Sequence, residues 1–163
     1  MRIPALLAAL SFAAAAHAAP ACDAPEHHAL DFWLGEWEVH DGGEVVARST
    51  IERSTEACAI VEHYRQKDGY TGTSHSFYDG ALRKWRQTWI DSTGSVGEFT
   101  AEPRPGEMPF VGETHRPDGR VVLRKMTLGL HRDGSVRQHS LASTDGGATW
   151  KPHYDFTYRP LKR

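Results

Sequence analysis

The stretch STDGGATWKPHYDFTY, Ser143–Tyr158, joins a turn sequence to an alternating strand. Asp145-Gly146-Gly147 suits a chain reversal, because glycine tolerates the positive φ that hairpin turns require. In the strand that follows, one face carries Trp150, Pro152, Tyr154, Phe156 and Tyr158. The other face carries Lys151, His153, Asp155, Thr157 and Arg159. A period of two with one aromatic face predicts a half-buried antiparallel strand.

The same turn chemistry recurs along the chain at intervals of about 12–15 residues. The turn sequences are Asp41-Gly42-Gly43, Ser54-Thr55-Glu56, Lys67-Asp68-Gly69, Asp79-Gly80, Ser92-Thr93-Gly94, Arg104-Pro105-Gly106, Pro117-Asp118-Gly119, Arg132-Asp133-Gly134 and Asp145-Gly146-Gly147. Nine turns separate ten strands, and consecutive hairpins of similar length favour an up-and-down meander. Because closure removes exposed strand edges, the sequence predicts an all-β, antiparallel barrel of about ten strands.

A short helical turn is predicted at Pro25–Leu34, where Pro25 can start it and Gly35 can stop it. We expect it to lie across one mouth of the barrel. The remaining chain carries no linker, so residues 19–163 are interpreted as a single barrel domain.

The first residues have the form of a secretory leader. A positive Arg2 precedes an apolar run, and Ala16-His17-Ala18 fits the small-x-small cleavage pattern. We therefore predict a signal peptide at residues 1–18, cleavage after Ala18 and export, most simply to a bacterial periplasm. An alternative is a lipoprotein acylated on Cys22. The run is too short to span a membrane stably, and no later run is long and apolar enough to cross a bilayer, so no transmembrane segment is expected.

The mature chain of 145 residues carries 18 Lys and Arg against 21 Asp and Glu, a net charge of −3, with both signs interspersed. This distribution does not indicate a nucleic-acid partner. The two cysteines, Cys22 and Cys58, are an even pair that predicts one disulfide in an oxidising compartment, two unpaired thiols being the alternative.

Several segments resemble known proteins. Leu34-Gly35-Glu36-Trp37 after a helical turn resembles the entry to lipocalins and other calycins, where the tryptophan closes the barrel floor under a basic residue of the last strand. That resemblance implies that Arg159 packs over Trp37 by a cation–π contact. DFWLGEWEV (31–39), CAIVEHY (58–64), KWRQTWID (84–91) and SVRQHSLASTDGGATW (135–150) are similar to a bacterial family of secreted calycin-like domains with no assigned function. Nitrobindin and the fatty-acid-binding proteins are more distant likenesses.

STDGGATW also fits the pattern S-x-D-x-G-x-T-W, which resembles the Asp-box of sialidase propellers. A mature chain of 145 residues is too short for several four-stranded blades. We therefore interpret the motif as the last hairpin turn, in which Ser143 and Asp145 bind turn amides and Trp150 covers the corner.

The candidate ligand-binding residues lie on three strands. Glu62 shares a face with Ile60 and Tyr64, and points into the barrel if they do; the alternative is that Ala57, Ala59, Val61 and His63 point inward. An inward carboxyl would be a ligand anchor or a general base.

Trp85, Gln87 and Trp89 also share a face and would suit a small, mostly apolar ligand, with plain core packing as the alternative. Of the adjacent pair Arg137 and Gln138, one faces inward. An inward Arg137 would hold a ligand carboxylate, and an inward Gln138 would be a polar lumen group.

No metal or cofactor is predicted, because the nine histidines of the mature chain are scattered and form no ligand motif; a single axial histidine for haem is the alternative. No nucleophile motif or catalytic triad stands out. The sequence thus favours a secreted barrel that binds a small apolar or amphipathic molecule through Glu62, Tyr64, Trp85, Gln87, Trp89 and Arg137. The alternatives are an enzyme using Glu62 as acid or base, and a solid barrel whose surface binds an envelope protein. The oligomeric state stays open.

Overall fold

In a computed structural model, the chain forms a closed antiparallel β-barrel of ten strands. The structure describes residues 22–55 and 57–161, so the predicted leader at 1–18 lies outside the described residues. The strands are β1 (Gly35–Asp41), β2 (Glu44–Ser54), β3 (Ala59–Gln66), β4 (Thr71–Asp79), β5 (Lys84–Asp91), β6 (Val96–Ala101), β7 (Glu107–His115), β8 (Val121–Leu130), β9 (Val136–Ser143) and β10 (Lys151–Pro160).

Each strand pairs with its neighbour in sequence, and β10 pairs with β1. The predicted up-and-down barrel and its nine hairpins are therefore confirmed, although Glu56 of the second turn lies outside the described residues. Aspartates organise many of these turns by accepting backbone amides two residues on, as Asp133 does from Ser135 at 3.0 Å. No helix among the described residues is long and apolar enough to span a membrane.

Two short 3₁₀ helices, Pro25–His28 and Asp31–Trp33, cover the end of the barrel at which β1 begins, hereafter the closed end. They confirm the predicted helical turn. The side chains of Leu30 and Trp33 are fully buried there. The Trp85 indole donates to the Glu26 carbonyl at 2.9 Å, which fixes the first helix to β5.

A covalent tie holds the same segment. Cys22 and Cys58 form the predicted disulfide, which links the N-terminal arm to the β2–β3 turn. Arg53 reinforces the tie, because its guanidinium binds the Asp31 carboxylate and donates to the Ala57 carbonyl at 2.9 Å. The closed end is thus fastened by a disulfide and an ion pair.

The lumen beside the closed end is filled by buried apolar side chains. They are Leu30, Trp33, Trp37, Val39, Ile51, Ile60, Trp85, Met108, Phe110, Leu128 and Val136. Burial of this set is the main source of stability in such a fold. It also confines any open space to the other half of the barrel.

The prediction that Arg159 packs over Trp37 in a cation–π contact is wrong. Tyr158 points into the lumen, so the next residue, Arg159, points out and is exposed. The aromatic neighbour of Trp37 is Tyr158, whose ring lies edge-on with a centroid distance of 6.3 Å. Strand alternation therefore gives a tyrosine the place that the resemblance assigned to a basic residue.

The inward aromatic face of β10 is shorter than the alternation of the sequence predicted, which placed Trp150 on the same face as Tyr158. The pairing with β9 shifts register between Pro152 and Tyr154, which leaves His153 as an extra residue. Such a bulge reverses which side chains face inward. The inner aromatic face therefore starts at Tyr154, whereas Trp150 lies under the ammonium group of Lys125, 4.1 Å from its ring centroid.

The final turn itself has the expected hairpin geometry. Ser143 Oγ accepts the Gly147 amide at 2.9 Å, and Asp145 accepts the Thr149 amide at 2.9 Å. The Trp150 indole donates to the Gly147 carbonyl at 3.1 Å. All these contacts stabilise the turn between β9 and β10, in agreement with the interpretation of STDGGATW as the last hairpin turn.

Candidate functional site

The half of the barrel away from the closed end contains a cavity of about 500 Å³. Its mouth lies among the turns of that end, hereafter the open end, where Asp41, Asp68, Thr93 and Arg116 are exposed. Four predicted site residues line the cavity: Glu62, Tyr64, Gln87 and Trp89. Trp85 and Arg137 do not.

Glu62 occupies the inner face of β3 and is only 3 % exposed, so the inward alternative is correct. Ser49 Oγ donates to its Oε1 at 2.8 Å, and Ser74 Oγ donates to its Oε2 at 3.4 Å. Burial raises the pKa of Glu62 to about 7, although these hydroxyl donors oppose the rise. Glu62 is thus a buried carboxyl that titrates near neutral pH.

The Tyr158 hydroxyl joins Glu62 to Gln138, and its hydrogen bond to the carboxyl opposes the rise in the pKa of Glu62. The Tyr158 hydroxyl lies 2.9 Å from Gln138 Oε1 and 3.1 Å from Glu62 Oε1, yet it has one proton to donate. When that proton goes to Gln138, a protonated Glu62 supplies the proton for the second contact. When Glu62 ionises, Tyr158 must turn to it, and the Gln138 carbonyl loses its donor.

These groups belong to a polar belt that separates the apolar core from the cavity. We define the belt as Ser49, Glu62, Ser74, Ser76, Gln87, Gln138 and Tyr158, all of which are buried. Gln87 Nε2 donates to Ser76 Oγ at 2.9 Å, so this amide has a protein partner. Most of the belt is satisfied internally, which keeps its polar atoms fixed beneath the cavity.

One side of the cavity is an aromatic wall formed by Trp89, Tyr64, Phe156 and Tyr154. Trp89 meets Tyr64 edge-on at a centroid distance of 6.1 Å. Phe156 and Tyr154 stack with their planes 8° apart and their centroids 4.7 Å apart. Gly72 makes room for this wall, because any Cβ at that position would collide with the Trp89 indole.

Trp85 and Trp89, which the sequence placed on one face, have different surroundings. Trp85 is 1 % exposed and belongs to the core at the closed end. Trp89 is only partly buried and lies beside the cavity. The core-packing alternative therefore describes Trp85, and the cavity-lining prediction describes Trp89.

The prediction that Arg137 points inward is wrong. Arg137 lies on the outer face of β9 and binds Asp155 of β10 through two hydrogen bonds of 2.7 and 2.6 Å. Its neighbour Gln138 points into the barrel instead, where it lines the cavity. The pair thus follows the second alternative, with Gln138 as the polar lumen group.

Sequence reasoning missed the buried arginine that lines the cavity. Arg124 of β8 is 8 % exposed and points inward. The signal was present, since Arg124 shares a face with Val122, Met126 and Leu128, which are all buried. An arginine in the middle of an apolar face indicates an inward charge. Burial lowers the pKa of Arg124 from its ordinary value.

Charge at the open end is segregated. Asp41, Asp68 and Asp91 line the cavity from β1, the β3–β4 turn and β5. Arg116 and Arg124 line it from β7–β8, on another part of the rim. Tyr70 donates to Asp91 at 2.9 Å, and Thr93 donates its amide to the same carboxylate at 2.8 Å. On the acidic side, the Asp91 carboxylate therefore already has hydrogen-bond donors from the protein.

A comparison of the chain with models of protein families and with curated proteins finds no match in either.

Proposed function

We propose that the protein is an exported binding protein that holds a small amphipathic molecule in the open half of its barrel. The observation that carries the proposal is the cavity of about 500 Å³, which is closed below by core and polar belt and open among the turns. Sites for small organic ligands have volumes of about 300–1,000 Å³ and combine apolar walls with a few placed polar groups.

The lining has the composition that such a ligand requires. The aromatic wall offers large apolar surfaces for the body of a molecule. The polar belt and Arg124 offer a small number of directed donors and acceptors. The architecture, a sequentially wound barrel with 3₁₀ helices at one end, agrees with the proposed membership of the calycin class.

The disulfide supports export, because such bonds persist in oxidising compartments and are rare in the cytosol. It also favours a non-acylated mature chain, since a Cys22 sulfur bound to Cys58 cannot carry a thioether-linked lipid. Mass spectrometry of the protein expressed with its leader tests this. We expect a chain that begins at Ala19 and is two mass units lighter than its reduced form; an unprocessed, reduced chain would contradict export.

Binding is tested by fluorescence titration with N-phenyl-1-naphthylamine, a neutral apolar probe that brightens in apolar sites. We expect saturable binding with a stoichiometry of one. The variant Thr114→Trp should abolish it, because Thr114 is 9 % exposed and lines the cavity. The matched control is Glu113→Trp, which adds the same indole to the adjacent residue on the outer face of β7. Equal binding by both variants would contradict a cavity site.

A second candidate function is catalysis by Glu62 on a bound molecule. The observation that favours it is the raised pKa of Glu62 beside a cavity, since general acids and bases work best near the ambient pH. However, Ser49, Ser74 and Tyr158 already occupy the carboxyl oxygens, which suits a fixed group better than one that exchanges protons with a ligand. The geometry therefore supports binding more strongly than catalysis.

A further inference from the structure

The guanidinium of Arg124 has a buried nitrogen, Nη1, that makes no hydrogen bond to any residue that the structure describes. None of the ion pairs found among residues 22–55 and 57–161 includes Arg124. A charge taken out of water costs folding free energy unless it is paired. Arg124 therefore carries a desolvation cost that no ion pair among the described residues offsets.

The charged neighbour of Arg124 that lowers its pKa, after burial, is Arg116. The other neighbours are the phenols of Tyr154 and Tyr70, which carry no charge at pH 7. His153, brought to the cavity by the β10 bulge, has its pKa lowered to about 4 by burial and by Arg124 and Arg116. It is neutral at pH 7, so the net charge on this side comes from the two arginines.

Arg137 is an arginine of this barrel that has a structural role, and it provides a comparison for Arg124. It lies on the surface and forms a two-bonded ion pair with Asp155 on the adjacent strand. Arg124 has the opposite properties, because it is buried, faces a cavity and lacks an acidic partner. The five donor hydrogens of a guanidinium are suited to a planar or tetrahedral oxyanion.

We infer that the ligand is an amphipathic organic anion, whose acidic group binds Arg124 while its apolar part lies against the aromatic wall. The inference rests on the proposed function and adds the chemical class of the ligand. The acidic residues of the rim lie on other strands, so an anion approaching from the open end is attracted to the β7–β8 side.

A matched pair of probes tests the inference. 8-Anilinonaphthalene-1-sulfonate carries the ring system of N-phenyl-1-naphthylamine plus one sulfonate. Dissociation constants of both are measured for the wild type and for Arg124→Met, Arg124→Lys and Arg137→Met. We expect Arg124→Met to weaken the sulfonate probe about 10- to 100-fold, the value of a charged hydrogen bond, and to leave the neutral probe within about twofold.

The other variants sharpen the result. Arg124→Lys keeps the charge but loses the planar fork, so we expect an intermediate loss. Arg137→Met removes an equal charge from the outer face and should change neither constant. Thermal melting of each variant checks that it is folded, and Arg124→Gln replaces Arg124→Met if the latter fails to fold.

Equal weakening of both probes in Arg124→Met would overturn the inference, because Arg124 would then shape the cavity rather than bind the anion. Equal affinities of the wild type for both probes, unchanged by Arg124→Met, would also overturn it while leaving the proposed function intact. If neither probe binds the wild type, the proposed function itself fails, and the inference falls with it.

Competition identifies the acidic group. Decanoate, decyl sulfate and decanol, which share one alkyl chain, are used to displace the bound sulfonate probe. We expect both anions to displace it at concentrations at least tenfold below decanol, and their order distinguishes a carboxylate ligand from a sulfate ester. Equal potency of decanol and the anions would contradict an anionic ligand.

Discussion

Glu62 and Arg124 point into the same lumen from strands on opposite sides of the barrel, and they are not paired. Four strands separate β3 from β8 in either direction, namely β4 to β7 one way and β2, β1, β10 and β9 the other. Both residues line the cavity and both are buried. The acid is held by hydroxyl groups of the polar belt, whereas the arginine has no acidic partner in the part of the chain that the structure describes and has a buried, unpartnered Nη1 atom. The carboxyl group on one side of the cavity thus has hydrogen-bond donors from the protein, whereas the guanidinium on the other side can bind an acidic group of a ligand.

The raised pKa of Glu62 makes stability depend on pH in a definite direction. The folded state holds the Glu62 proton up to about pH 7, whereas the unfolded state loses it near 4.5. Folding therefore gains stability that is fully present below about pH 4.5 and is lost as the pH rises through 7. The loss amounts to about 3 kcal/mol at most.

We expect Glu62→Gln to remove this dependence. The difference in unfolding free energy between wild type and variant, measured by urea denaturation from pH 4 to 9, should shift in favour of the variant between about pH 4.5 and 7 and then level off. Other titrating groups, such as His153, are present in both proteins and cancel. A difference that stays constant across this range would mean that Glu62 titrates normally.

Arg124→Met should leave the ligand-free protein as stable as the wild type, or more stable by about 1–2 kcal/mol. The reason is that methionine fills similar space without a charge that must be desolvated. Urea denaturation of ligand-free protein measures it. A loss of several kcal/mol would indicate that Arg124 holds the barrel together and is not kept for a ligand.

The two inward indoles of β5 should respond differently to truncation. Trp85→Ala removes a fully packed side chain and should lower the unfolding free energy by about 3–5 kcal/mol. Trp89→Ala removes part of the aromatic wall, and it should weaken N-phenyl-1-naphthylamine about tenfold with a smaller effect on stability. Melting and titration of both variants test this, and the reverse pattern would exchange the roles of the two residues.

Loss of the disulfide should destabilise the closed end without removing the cavity. The link closes a loop spanning a sequence separation of 36, and the chain-entropy treatment assigns such a loop about 3–4 kcal/mol. The double variant Cys22→Ser/Cys58→Ser should lose about this much in urea denaturation. Probe binding at a temperature where the variant is folded should persist; its loss would show that the tie also shapes the cavity.

The fold was readable from the sequence because its signals are local. Aspartate–glycine turns and alternating strands are each encoded within about ten residues, and a meander joins them in order. Glu62, Tyr64, Gln87 and Trp89 lie on faces that the alternation identified correctly. The division between Trp85 and Trp89 was not readable, since it depends on how far the 3₁₀ helices and the core fill the lumen.

The errors have physical causes as well. The resemblance to calycins placed Arg159 over Trp37, and Arg137 was chosen over Gln138 as a ligand-binding residue. Their neighbours Tyr158 and Gln138 hold the inward positions instead. Trp150 was misplaced because a one-residue bulge at His153 leaves no mark in the alternation. Arg124 was overlooked although it shares a face with Val122, Met126 and Leu128, which are buried.

A crystal structure of the protein bound to 8-anilinonaphthalene-1-sulfonate tests the binding of an anion in the cavity most directly. We expect density for the rings against Trp89, Tyr64 and Phe156, with the sulfonate oxygens within hydrogen-bonding distance of the Arg124 guanidinium. A probe bound on the outer surface, with the lumen unoccupied or filled by side chains, would contradict it.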